Sequence, residues 1–170
     1  FTGNRDDRMS EIIKVGMADL KVCAYPDSLT TLGLGSCVGI ALYDKVTKIT
    51  GLAHIMLPDS KRISRNENIA KFADTAIEET LRLMLQRGAN KRRIVAKIAG
   101  GADMFGLGNA SGSSFHVGAS NIAAAKENLA KLGIPLIAQD VGLNYGRTVI
   151  IKSEDGAFVI KAVGKPVKEI

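Results

Sequence analysis

Residues Leu29 to Ser60 read LTTLGLGSCVGIALYDKVTKITGLAHIMLPDS, and the fold turns on how this stretch is paired. A glycine-rich turn at Gly33 and Gly35 leads into Cys37, two apolar segments flank Asp44-Lys45-Val46-Thr47, and the second segment carries His54. Apolar runs bounded by turn residues read as a β-hairpin. With Asp44 to Thr47 as a four-residue loop that Asp44 opens as a type I turn, Tyr43 lies opposite Lys48, and counting back in register puts Cys37 directly opposite His54. Directly opposed side chains share a face, with Cβ atoms roughly 4.5 to 5.5 Å apart. A slip of one residue would separate the two.

A free thiol with a pKa of about 8.5 is mostly protonated at neutral pH, but a neighbouring imidazole can take the proton and leave a thiolate–imidazolium pair, which is a nucleophile. The glycines ahead of Cys37 admit unusual backbone angles and close approach of a substrate, and the N–H groups of the turn around Gly35 and Ser36 are candidates for holding an oxyanion. The other reading makes Cys37 a small core residue and His54 a strand histidine satisfied by a backbone carbonyl. Pattern alone leaves both open.

The 170 residues fit one domain with enough length to bury a core, and 46% hydrophobic with 24% charged residues is ordinary for a globular protein. No apolar run approaches the roughly 20 residues of a membrane span and no signal peptide opens the chain, so a cytoplasmic protein without membrane insertion is expected. In that reducing compartment Cys23 and Cys37 stay free. There is no Cys-x-x-Cys and there are only two histidines, His54 and His116, so no metal site is expected. Neither glycine loop carries the lysine of a Walker loop or spells G-x-G-x-x-G, and no cofactor is expected. A formal net charge of +6 fits an acidic partner. With 5% aromatic residues and no long basic run, nucleic acid is unsupported, and an acidic protein surface suits the charge as well.

In chain order, residues 1–10 read as a polar N-terminal extension, 11–164 as the folded domain and 165–170 as a tail. Short strands are expected at Glu11 to Val15, Asp19 to Ala24, Leu29 to Leu32, Ile94 to Ala99, Ile134 to Gln139, Thr148 to Lys152 and Ala157 to Val163, the last two joined as a hairpin by Asp155-Gly156. Cys23 alternates onto the face of Lys21 and reads as structural. A helix is expected over Asn68 to Arg87, with Ile69, Phe72, Ala73, Ala76, Ile77, Thr80, Leu81 and Met84 at helical spacing and Gly88 ending it; Asp74 belongs to its solvated side. A second runs to Leu132, capped by Ser120 or Asn121. Between them, Gly100 and Gly101 mark a backbone passing close to the hairpin or to a substrate, which makes them candidate substrate-binding residues. Met104 and Phe105 suit core packing. The loop 106–118 ends at His116, a rival base or a surface residue. Arg147 either orients substrate or pairs with a carboxylate such as Asp140.

Four stretches together carry a resemblance: T-L-G-L-G-S-C at Thr31 to Cys37, L-A-H-I-M-L-P-D-S at Leu52 to Ser60, K-F-A-D-T-A-I at Lys71 to Ile77 and A-K-I-A-G-G-A-D-M-F at Ala96 to Phe105. From about Val15 to Ile151 the chain resembles the CheD family, the chemoreceptor glutamine deamidases of bacterial and archaeal chemotaxis. The resemblance implies an α/β fold, a single-domain α/β/α sandwich with a mixed, hairpin-rich sheet and two main helices, where the pattern alone gives only mixed α and β. It also implies a Cys-His-Thr triad of Cys37, His54 and Thr31. The threonine hydroxyl would accept the N–H of one ring nitrogen and hold the other toward the thiol, the orienting task of Asp or Asn in better-known triads. The implied reaction hydrolyses glutamine side chains on the cytoplasmic helical bundle of chemoreceptors to glutamate through a thioester, and the implied partner is the phosphatase CheC. A regulatory module that binds CheC without catalysis is the alternative, and a cysteine peptidase or transamidase would share the thioester chemistry.

Overall fold

Residues 9–104 and 116–170 are described by a computed structural model, so the extension expected over 1–10 lies almost wholly outside the described residues, as do Phe105 and most of the 106–118 loop. The elements are β1 (Ile12–Lys14), β2 (Asp19–Ala24), β3 (Ser28–Leu34), β4 (Val38–Asp44), β5 (Ile49–Ile55), α1 (Ala73–Gln86), β6 (Ile94–Gly100), α2 (Val117–Lys131), β7 (Leu136–Val141), β8 (Arg147–Lys152), β9 (Phe158–Lys161) and β10 (Lys168–Glu169). They form two five-stranded sheets, ordered β2-β5-β4-β6-β7 and β1-β3-β8-β9-β10. Pairing is antiparallel except for β6 with β7 and β1 with β3. The parallel pair β6–β7 is joined by α2, the crossover such a pair requires.

The expected hairpin is β4–β5, at the middle of the first sheet. Val38, Ile40, Leu42, Ala53 and Ile55 point to one side and pack with Ile77, Leu81 and Met84 of α1 and with Ala125 and Leu129 of α2. Ala41, Leu52 and Ala99 point to the other side, with Cys37, and meet Leu29, Leu34, Val149, Ile151 and Phe158 of the second sheet. Covered on both faces, β4 and β5 are buried at every residue, which is why they read as near-continuous apolar runs. The domain is α/β with two helices and mixed sheets. Both helices lie on one side of the central sheet, and the third layer, where an α/β/α arrangement puts helices, is the second sheet. Alternation shows that a strand face is buried but not what buries it.

The hairpin register differs from the expected one. Gly39, not Cys37, stands opposite His54, and Asp44, expected in the loop, pairs with Ile49. The loop is therefore Lys45 to Lys48, closed by the Lys48 N–H donating to Asp44 O at 2.8 Å, with Lys48 at φ 56° and the Asp44 carboxylate accepting the Val46 N–H. Moving the loop by one residue shifts the pairing by two, and a two-residue shift keeps every side chain on its face. Cys37 and His54 remain on the side that looks toward the second sheet.

The helix ends also move. Asn68 caps a single 3-10 turn at Ile69–Lys71 and Phe72 is extended at φ −116°, so α1 begins only at Ala73. Asp74, expected on a solvated face, instead accepts the Ser60 N–H at 3.0 Å and the Ser60 hydroxyl at 2.7 Å, pinning the segment that follows β5. α2 starts earlier than expected, with His116 at its N-cap, so Ser120 and Asn121 lie inside its first turns and do not cap it. The expected tail closes a sheet edge, since β10 pairs with β9 and Ile170 exchanges both backbone hydrogen bonds with Phe158. No helix among the described residues is long and apolar enough to cross a membrane.

Candidate active site

His54 projects from β5 into the gap between the sheets, and Thr31 reaches it from β3 in the opposite layer. Both are fully buried. Thr31 Oγ1 lies 2.7 Å from His54 Nδ1 and 2.7 Å from Val15 O. A hydroxyl has one proton, and the Val15 carbonyl can only accept, so both contacts are satisfied together when Thr31 donates to Val15 and accepts the Nδ1–H. That fixes the tautomer and leaves Nε2 as the bare acceptor. His54 Nε2 is buried with no hydrogen-bond partner among the described residues. Burial also pushes the His54 pKa below the usual imidazole value, which keeps the ring neutral.

Cys37 sits just before β4, 8% exposed, on the same side of the sheet as His54. With Gly39 facing His54, Cys37 is the diagonal neighbour of the histidine, at roughly 7 to 8 Å by strand geometry, a separation that an imidazole can span. Burial raises the Cys37 thiol above its ordinary value, opposed in part by a hydrogen bond from its own backbone N–H. A raised thiol and a lowered imidazole favour the neutral pair at rest over the thiolate–imidazolium pair that the sequence invited.

The turn before Cys37 is held by its carbonyls. Ala102 N–H donates to Gly35 O at 2.8 Å, the Asn121 side-chain amide donates to Ser36 O at 2.9 Å, and Gly101 N–H donates to Cys37 O at 2.8 Å. Three consecutive acceptors are thereby occupied, two from the segment that follows β6 and one from α2. Gly100 is at φ 109°, and a Cβ there would fall on the Cys37 carbonyl oxygen, so the close approach requires glycine on two counts. Gly101, a candidate for binding substrate, gives its N–H to the Cys37 carbonyl. Half-exposed Met104 lies against the turn, its Cγ 3.2 Å from where a Cβ at Gly35 would stand.

Asn121 is the residue that sequence reasoning missed. Fully buried, it donates its second N–H to Met56 O at 3.0 Å and so joins the turn before Cys37 to the segment after His54. The remaining candidates fall elsewhere: His116 is at the α2 N-cap without a side-chain bond to the helix, and Cys23 is buried with its pKa pushed up to about 12, chiefly by that burial. Arg147 pairs with Asp140 at 3.2 Å and donates to the carbonyls of Gly142 and Tyr145.

Comparison with known proteins agrees with the resemblance carried by the motifs. Residues 56–162 match the CheD family, described as CheD chemotactic sensory transduction. The chain is 57% identical over 162 residues to a protein of Lachnoclostridium phytofermentans called a probable chemoreceptor glutamine deamidase CheD, an alignment covering 95% of this chain and 100% of that one. Proteins of the same description from Caldanaerobacter subterraneus and Moorella thermoacetica are 53% identical over 161 residues and 50% identical over 158, covering 95% and 93% of this chain and 99% and 95% of theirs.

Proposed function

The chain belongs to the CheD family, and from that premise we propose that it is a cysteine-dependent deamidase that converts glutamine side chains of chemoreceptors to glutamate. The observation that carries the reading is the hydroxyl of Thr31 held between Val15 O and His54 Nδ1, because it leaves Nε2 with one available task, taking a proton on the face that Cys37 shares. The sulfur of Cys37 attacks the carboxamide carbon as Nε2 removes the thiol proton. The carbonyl π electrons move to oxygen, and backbone N–H groups near Ser36 and Cys37 hold the resulting oxyanion. As the carbonyl re-forms, the C–N bond breaks, the imidazolium protonates the departing nitrogen, and ammonia leaves a thioester. Water then attacks that thioester, giving its proton to Nε2; the C–S bond breaks, glutamate departs and the sulfur recovers its proton. The net change consumes water and releases ammonia, with no cofactor.

Chemoreceptor cytoplasmic helices are the proposed substrate, and the +6 charge suits an acidic helical surface. CheC is proposed as a regulatory partner that binds without needing the thiol. Mass spectrometry of a chemoreceptor cytoplasmic fragment incubated with wild type and with Cys37→Ala tests the reading. Glutamine-to-glutamate conversion is expected with wild type alone. A chain that binds CheC equally well with and without Cys37, while wild type releases no ammonia, is a binding module instead. Cleavage of the fragment backbone, or transfer of the acyl group to an added amine, would identify a peptidase or transamidase.

A further inference from the structure

Asn121 lies on α2, a layer away from the residues assigned to chemistry, yet both N–H bonds of its amide end on carbonyls just outside the β4–β5 hairpin, one beside Cys37 and one two residues past His54. The two acceptors are not arbitrary. Ser36 O belongs to the peptide that supplies the Cys37 N–H, and Met56 is two residues past His54, one step beyond the last ladder pair, Val38 with Ile55. The side chain thus adds one more rung where β4 and β5 part. Only a primary amide fits the place: both neighbours are carbonyl oxygens, so the nitrogen must face them, a hydroxyl would serve one of them, and a carboxylate would repel both. A polar side chain buried this completely is retained at a cost unless those bonds form.

The consequence lies in the plane of one peptide. In a trans peptide the C=O and the next N–H point in opposite directions. Drawing Ser36 O toward α2 turns the Cys37 N–H the other way, toward its own sulfur, the side on which a substrate oxygen must land. We propose that Asn121 is a positioning residue that sets the Ser36–Cys37 peptide plane and the offset between nucleophile and base without touching substrate. The role rests on the deamidase reading for its turnover measurement, whereas its effect on the thiol can be measured without any receptor.

The test compares Asn121→Asp, which keeps the shape and loses the donors, Asn121→Ser, which keeps one donor, and Asn121→Ala, with Asn128→Ala as control. Asn128 is on the same helix, and its amide donates to Ala124 O. Folded protein of each variant is alkylated with iodoacetamide across pH, the modification at Cys37 read by peptide mass spectrometry, and kcat and KM are measured on a receptor fragment. Expected are a fall in kcat of about 10- to 100-fold for the Asp and Ala variants with KM within about twofold, a displaced pH profile for Cys37 alkylation, and an intermediate Ser variant. Asn128→Ala should match wild type. The proposal is overturned if the variants only melt at lower temperature while alkylation and kcat per folded molecule stay at wild-type values, or if all three fail to fold, which would make Asn121 a core residue. Should wild type release no ammonia while the alkylation profile still shifts, the deamidase reading fails and the positioning role stands. Ammonia release with an unshifted profile is the reverse result.

Discussion

A threonine in the orienting position differs from the carboxylate of better-known triads in bringing no charge. In the proposed mechanism, the imidazolium that would form as His54 takes the thiol proton would gain direction from Thr31 but little electrostatic support, in keeping with a raised thiol and a lowered imidazole pKa at rest. Thr31→Val removes the hydroxyl, orphans Val15 O and frees the ring to turn. Ammonia release should then fall about 100-fold in kcat with KM little changed, whereas Thr31→Ser keeps most of the rate. Iodoacetamide should modify wild-type Cys37 slowly through neutral pH, the rate climbing only above about pH 8.5, where an ordinary thiol ionises. A plateau of fast alkylation between pH 5 and 7 would mean that the ion pair exists at rest. Of these residues, Cys37 and His54 were legible as a same-face pair from alternation, while Thr31 was legible only through the family motif, since threonine is common in strands for reasons of propensity. Asn121 escaped because an asparagine near the start of a helical stretch reads as a cap.

At the scale of the element, the β4–β5 hairpin is fixed at its far end by Asp44. Its carboxylate is fully buried; burial alone would raise its pKa, but the Arg93 guanidinium and the backbone N–H groups of Asn90, Val46 and Thr47 surround it with donors, and it is held well below the usual carboxylate range. A carboxylate with a depressed folded-state pKa contributes stability above its unfolded value of about 3.9 and loses it as pH falls toward the folded one. The urea midpoint of wild type should therefore drop below about pH 4. Asp44→Asn should lower the midpoint at pH 7 and flatten that acid decline, both followed by circular dichroism. The same aspartate accounts for the misplaced loop: Asx-type bonding marks the turn correctly, but whether Asp44 is the last strand residue or the first loop residue depends on Lys48 adopting φ 56°, which nothing in a lysine announces. The error was harmless to the site because hairpin registers change in steps of two when the loop slides by one.

Across the whole molecule, the two sheets are tied at one edge by an ion pair. Arg147 of β8 is fully buried, and its partner Asp140 on β7 is also reached by Lys168 of β10 at 3.2 Å. Arg147→Ala strands that carboxylate between the layers and should cost about 3 kcal/mol in urea unfolding, near the low end for a broken buried pair because Lys168 remains. The second sheet was not legible as a layer: its order β1-β3-β8-β9-β10 joins strands from the two ends of the chain, and such pairings leave no local trace in periodicity. The helices were legible because each carries its own repeat. Under the proposed mechanism the separation of layers also bears on turnover, because the Thr31 hydroxyl is anchored in one sheet and the His54 imidazole it contacts in the other. Interlayer spacing would then set the rate, and activity would gauge it. Mild denaturant that lets the sheets drift apart by a fraction of an ångström should silence ammonia production while far-ultraviolet ellipticity is still at its native value.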